Sequence, residues 1–218
     1  MNAATQKSCI PGAAGDIELA IDRPDGSAAV AARGVAVIAH PHPLFGGTLD
    51  NKVVQTLARA FVQCGWTTVR FNFRGVGLSA GTHDDGRGEL QDHLAVCAYA
   101  QTLTTNGQPG VLALAGFSFG AFVTTHAAQQ RSGAPALAAL VLVGTSVSRA
   151  PAATLNAALH PTTLVVHGEL DDTVLLADVL NWARPQALPV TVVPGGGHFF
   201  HGQLPLLKGL VTRHLQSL

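Results

Sequence analysis

The sequence of 218 residues has little charge: lysine plus arginine number 13, aspartate plus glutamate 13, and charged residues make up only 12% of the chain. Their balance leaves no electrostatic footprint for nucleic acid or an anionic lipid surface. Cysteine is scarce too. Cys9, Cys64 and Cys97 are an odd, widely spaced trio without a CxxC pair, which argues against a disulfide framework and against a thiolate metal site. They read as small core or surface residues. No apolar run reaches the length of a membrane span, and the first residues, MNAATQKSCIPGAAGDIELAIDRP, contain no apolar core of signal-peptide length. A cytoplasmic protein is therefore expected. Internal repeats and low-complexity tracts are missing as well. What the chain does have is apolar residues, 47% of the total, enough to bury a sizeable core. We expect one domain over residues 1–218, acting on a small, weakly charged molecule.

Short β-rich runs alternate with helical ones. Strands are expected at Asp16–Asp22, Val35–His40, Thr67–Phe73, Val111–Gly116, Leu137–Gly144, Thr162–Gly168 and Val190–Pro194. Helices are expected at about Lys52–Cys64, Glu89–Thr105, Phe119–Gln130, Val174–Trp182 and Leu204–Leu215. After the first strand the runs are apolar on both faces, as in a sheet covered by helices. The fold class is thus α/β, a mostly parallel sheet with helices on both faces, punctuated at Gly133–Pro135 and Gly195–Gly197. In such sheets ligands bind beyond the carboxyl ends of the strands.

Four stretches sit at those ends: HPHPLFGG from His40, GFSFG from Gly116, HGELDD from His167 and GGGHFFHG from Gly195. In the second, glycines two before and two after Ser118 suit a tight strand-to-helix turn that lifts one hydroxyl off the backbone. A serine hydroxyl is a weak nucleophile unless an imidazole takes its proton, and the imidazole needs a carboxylate to fix its tautomer. His198 follows three glycines, where a turn can aim its ring at the sheet edge, and His201 reads as a helix-entry residue. Asp171 and Asp172 are both candidates for the acid, one of them capping the helix that follows. For the oxyanion, Phe119 supplies the N–H after the nucleophile, and because Pro41 and Pro43 have none, His42 or Leu44 supplies the second. Leu44, Phe45, Phe117, Phe119, Phe199 and Phe200 are candidate walls.

Taken together, HPHPLFGGTLDNKVV, FNFRGVGLSAG, GFSFGA, HGELDDTV and PGGGHFFHG resemble the small α/β-hydrolase-fold proteins, in particular bacterial dienelactone-hydrolase-like serine hydrolases. The resemblance runs from about Ile17 to near the end of the chain. It implies an esterase-type activity with an acyl-enzyme on Ser118 and no cofactor or metal. It also implies that the last position of HG-x-x-D, Asp171, is the acid, that His42 is the second oxyanion donor and that Arg74 braces the turn it opens. Dienelactone hydrolases proper carry a cysteine where this chain has Ser118, so their substrate is not carried over.

Other readings find less support in the sequence. RGVGLSAG (Arg74–Gly81) has the glycines of a dinucleotide fingerprint, but no helix opens at them. His40, His42, His198 and His201 could be imagined around a metal, but HExxH and HxHxDH spacings are absent. A non-catalytic binding member of the fold is the third alternative. Only Thr145–Pro161 separates two late strands, too short for a multi-helix cap, so no cap domain is expected. The expected partner is a small acyl substrate, with homodimerisation left open.

Overall fold

The computed structural model describes residues 5–24, 33–103, 111–131, 137–148 and 151–218. Among these residues eight strands make one sheet: β1 (Gln6–Gly12), β2 (Gly15–Asp22), β3 (Val35–Ala39), β4 (Thr67–Phe71), β5 (Leu112–Phe117), β6 (Ala139–Val143), β7 (Thr163–Gly168) and β8 (Val190–Val193). Their spatial order is β1-β2-β4-β3-β5-β6-β7-β8. The β1/β2 and β2/β4 pairs are antiparallel, and all others are parallel. Among the described residues five α-helices accompany them: α1 (Lys52–Gln63), α2 (Arg87–Thr102), α3 (Phe119–Gln130), α4 (Leu176–Ala183) and α5 (Leu204–Ser217).

The apolar runs bury both faces of the sheet because successive side chains on a strand point opposite ways. On β3, Val35, Val37 and Ala39 enter the core layer shared with α2 and α3. Ala36 and Ile38 enter the opposite layer, with Val53, Val54, Leu57 and Phe61 of α1 and Leu207 and Val211 of α5. Each large apolar side chain buried this way contributes about 1.5–3 kcal/mol. The Asn51 side chain starts α1 by accepting the Val53 and Val54 amides, and Cys64 and Gly65, the latter at φ 83°, end it.

Strand β1 was missed in the sequence. Only Ile10 among its residues is buried, so its apolar alternation is too thin to read, and it is held as an edge strand by a tight Gly12–Gly15 turn onto β2. Helix α4 begins at Leu176 rather than Val174, because the preceding residues form a separate turn around Asp171. Thr105, the expected end of α2, and the Gly133–Pro135 break lie outside the described residues.

The Arg74 turn is a brace between β4 and α2. The guanidinium of Arg74 donates to Asp92 through Nε (3.0 Å) and Nη2 (2.8 Å). A Cβ on Gly88 would lie 1.9 Å from that guanidinium, so a side chain there would have to displace it from its bonds to Asp92. Since α2 opens at Arg87 and not at Gly75–Gly77, the turn lacks the glycine-to-helix continuity of a phosphate-binding loop.

Between β6 and β7 the described residues hold a single short 3₁₀ turn, Ala157–Thr162, and no cap domain. Among the described residues no helix is long and apolar enough to cross a membrane. Strand order reverses at β3, with β4 on one side and β5 on the other. The crevice beyond the carboxyl ends of β3 and β5 is therefore the place for a ligand.

Candidate active site

Ser118 stands at the junction of β5 and α3 with φ 56° and ψ −119°. A non-glycine residue held there stores roughly 1–3 kcal/mol of strain, which the surroundings must over-determine. Two glycines allow it. A Cβ on Gly116 would lie 2.6 Å from the Ala121 nitrogen, and one on Gly120 would lie 2.4 Å from the His40 carbonyl oxygen. Only with both side chains absent do β5, α3 and the end of β3 meet closely enough to make the elbow. The Ser118 amide is tied to the Val143 carbonyl of β6 at 2.9 Å.

From this elbow a hydrogen-bonded chain crosses to the ends of β8 and β7. His198 Nε2 is 3.0 Å from Ser118 Oγ, and His198 Nδ1 is 2.7 Å from Asp171 Oδ2. All three residues are buried. Phe117 lies under the imidazole with ring centroids 5.0 Å apart, and Phe199 meets it edge-on at 5.0 Å. Gly144, at φ 53°, completes the floor: a Cβ there would lie 3.4 Å from His198 Cε1. The sequence reading missed Gly144, which looked like an ordinary strand terminus.

Asp171 does two jobs that had been divided between two aspartates. Its Oδ1 accepts the amides of Thr173 (3.0 Å) and Val174 (2.8 Å), while Oδ2 faces His198. Asp172 is exposed and only accepts the Thr173 hydroxyl, at 3.3 Å. Burial alone would raise the Asp171 carboxyl, but the hydrogen bond with His198, the Val174 amide and the neighbouring imidazoles outweigh it and hold the group below the usual carboxylate range. His167, also unforeseen, has Nε2 2.9 Å from the Val174 carbonyl and 3.4 Å from Asp171 Oδ2. Burial lowers its pKa, which favours a neutral ring donating from Nε2.

The loop after β3 turns at Pro43–Phe45, with the His42 carbonyl accepting the Phe45 and Gly47 amides at 3.1 Å each. His42 Nδ1 accepts the Leu44 amide at 3.3 Å. The Leu44 N–H is thereby engaged inside the turn. The His42 ring packs 4.8 Å from Phe119, 4.7 Å from Phe45 and 4.7 Å from His83.

Residues 42–161 match the alpha/beta hydrolase fold family. Over its whole length the chain is 32% identical to XC6422 from Xanthomonas campestris, an a/b serine hydrolase without lid, covering 96% of that chain with a TM-score of 0.87. The chain belongs to the α/β hydrolase family. It is also 37% identical to an alpha-beta serine hydrolase homologue from Coxiella burnetii, with 96% of this chain and 97% of that one covered and a TM-score of 0.78. A curated relative, Uncharacterized protein RP471 of Rickettsia prowazekii, is 40% identical over 97 residues. That match spans 44% of this hydrolase and 40% of the relative's own length.

Above Ser118 the hydrolase has a cavity of about 440 Å³, walled by His42, Phe45, Phe119 and Phe199 among others. Three expected walls are elsewhere. Phe117 and Phe200 are fully buried in the α1/α5 core layer, Phe117 because it follows Ala113 and Ala115 on the same face of β5. Leu44 sits on the outer side of its turn, 69% exposed, and does not line the cavity. In their place the cavity presents Asn51, Ser146, Ser148 and Thr173.

The four histidines imagined around a metal are not arranged as ligands. His40 is fully buried with both ring nitrogens engaged, Nε2 accepting the Phe73 amide (3.0 Å) and Nδ1 bonded to the Pro41 carbonyl (2.6 Å). His201 is exposed in the turn before α5. Among the described residues no three His, Cys, Asp or Glu side chains are grouped to hold a metal ion.

Proposed function

We propose that this α/β hydrolase is a serine esterase, cleaving carboxylic esters of small substrates through an acyl-enzyme on Ser118. The observation that carries the reading is the continuous chain Ser118 Oγ, His198 Nε2, His198 Nδ1, Asp171 Oδ2, with links of 3.0 and 2.7 Å. His198 takes the hydroxyl proton as Oγ attacks the ester carbonyl carbon. Asp171, kept ionised by its donors, fixes the Nδ1–H tautomer and stabilises the imidazolium.

The oxyanion points to two backbone amides. Phe119 is the first residue of α3, so its N–H has no carbonyl a turn earlier within the helix and lies at the positive end of the helix dipole. The His42 amide is the second donor. Each such donor is worth about 3–4 kcal/mol to the transition state. His198 then gives its proton to the departing alcohol oxygen, and a water attacks the acyl-enzyme by the same route in reverse. The scheme calls on no metal or cofactor.

The test is covalent labelling with a fluorophosphonate probe, together with p-nitrophenyl acetate hydrolysis. Wild type is expected to label at Ser118 and turn over. Ser118→Ala should abolish labelling, and both Ser118→Ala and His198→Ala should lower hydrolysis by several orders of magnitude with an unchanged circular dichroism spectrum. Hydrolysis persisting in Ser118→Ala would sink the reading.

A further inference from the structure

The strand order gives each half of an ester its own side of the crevice; this step rests on the esterase reading above. The oxyanion has to face the amides at the ends of β3 and β5, and the leaving oxygen has to come within reach of His198 Nε2 to collect its proton. β6, β7 and β8 all lie beyond β5 on the His198 side of the sheet. An alcohol leaving on that side would depart over the loops that follow β6 and β7, with the acyl group against His42, Phe45 and Phe119.

The leaving side bears hydroxyls beside the ring of Phe199, which packs edge-on against His198. Ser146 and Ser148 follow β6 and Thr173 follows β7, and all three line the cavity. Among the described residues neither serine hydroxyl has a hydrogen-bond partner. Ser148 is also shared with a second cavity of about 520 Å³, which continues over α4.

There Asp178, Asn181 and Trp182 stand at i, i+3 and i+4, one face of the helix, and all three line the space. Trp182 Nε1 is committed to the Ala153 carbonyl at 3.2 Å, so what it can offer a ligand is ring surface. Asn181 Oδ1 is taken by Arg184, while its amide nitrogen donates to no described residue. Asp178 has no salt bridge or hydrogen bond from its carboxylate among the described residues. A carboxylate that accepts O–H groups, an amide that donates to oxygen, a hydroxyl that does both and a flat ring for C–H surface together fit a carbon skeleton carrying adjacent hydroxyls. An alkyl group covering the same polar atoms would strip their water at about 1–3 kcal/mol each with nothing returned.

We propose that this second cavity is a leaving-group subsite for a polyhydroxy alcohol, so that the preferred substrates are short acyl esters of a sugar or of glycerol. Sites built to hydrogen-bond a substrate hydroxyl discriminate strongly against analogues that lack it. A quaternary ammonium alcohol would use the carboxylate and the indole but leave Ser148 and Asn181 idle.

The experiment compares four butyrates that share one acyl group: ethyl butyrate, glyceryl 1-butyrate, methyl 6-O-butyryl-glucoside and butyrylcholine. At least one hydroxylated ester should exceed ethyl butyrate in kcat/KM by about tenfold or more, and the glycerol and sugar arms tell the two sources apart. Asp178→Ala and Asn181→Ala, on the outer face of α4, should pull that ratio toward one chiefly through KM, with thermal midpoints unchanged. A wild-type ratio near one, a ratio that survives both substitutions, or a preference for butyrylcholine overturns the proposal. If ethyl butyrate is cleaved and Ser118 labels while the preference is missing, the subsite alone fails. If Ser118 neither labels nor turns over any of the four, the esterase reading fails and the subsite with it.

Discussion

Lowering the pH from 7 to 5 should cost the folded protein about 4 kcal/mol through two histidines outside the Ser118 chain. His40 and His93 are fully buried, and burial lowers each from 6.5 to about 4. Released into water by unfolding, the same rings take up a proton near pH 6.5. The stability associated with keeping them neutral is therefore fully present above 6.5 and is lost as the pH falls from 6.5 toward 4. At pH 5 the gap between the unfolded pKa and the solution is about 1.5 units, or roughly 2 kcal/mol for each ring. Against a total of about 5–15 kcal/mol for an ordinary domain, that is a large fraction. Urea unfolding at both pH values reads the total, to which His167 and His214, also lowered by burial, add in the same direction. His93, between Thr124 Oγ1 (3.2 Å) and Cys97 Sγ (3.4 Å), can be replaced by leucine, since Thr124 keeps its bond to the Gly120 carbonyl. His93→Leu has its own cost at pH 7, but its further loss between pH 7 and 5 should be about 2 kcal/mol smaller than in wild type. Equal losses in the two proteins would refute the assignment.

Other expectations concern the site. Gly144→Ala puts a methyl group 3.4 Å from His198 Cε1 at a positive φ, and should lower kcat by about tenfold or more with little change in KM; wild-type kcat would show that the imidazole does not rest on that floor. Asp171→Asn should lose orders of magnitude more activity than Asp172→Asn, because only the former sets the His198 tautomer; similar losses would remove Asp171 from its role. Across p-nitrophenyl esters from acetate to palmitate, kcat/KM should peak at short chains, because the cavity of about 440 Å³ cannot bury a long one and each methylene left in water forgoes its roughly 0.8 kcal/mol. A steady rise to palmitate would mean a groove beyond this cavity.

Residues whose chemistry is local were the legible ones. Gly116, Ser118 and Gly120 announce the elbow because its steric demands fall within five consecutive positions, and the apolar runs of β3 to β7 announce buried strands for the same reason. Positions defined by what folds against them were not legible. Gly144 matters because His198, far along the chain, comes to rest on it, and Phe117 and Phe200 read as cavity walls although the pleat of β5 turns Phe117, and the turn after β8 turns Phe200, into the α1/α5 layer. The division of labour between Asp171 and Asp172 had a similar fate. Capping and orienting looked like tasks for two residues, but a carboxylate has two oxygens, and one residue performs both.

That shared carboxylate links motion at α4 to chemistry at Ser118. The oxygen that grips the amides of Thr173 and Val174 anchors the start of the segment leading into α4, and its twin holds the imidazole. A rotation of the carboxyl group that eased one grip would loosen the other. Remodelling of α4 to accept a different alcohol is thus read out in turnover number as well as in affinity, and variants selected for a new leaving group should need compensating changes around residues 171–175 before they regain speed.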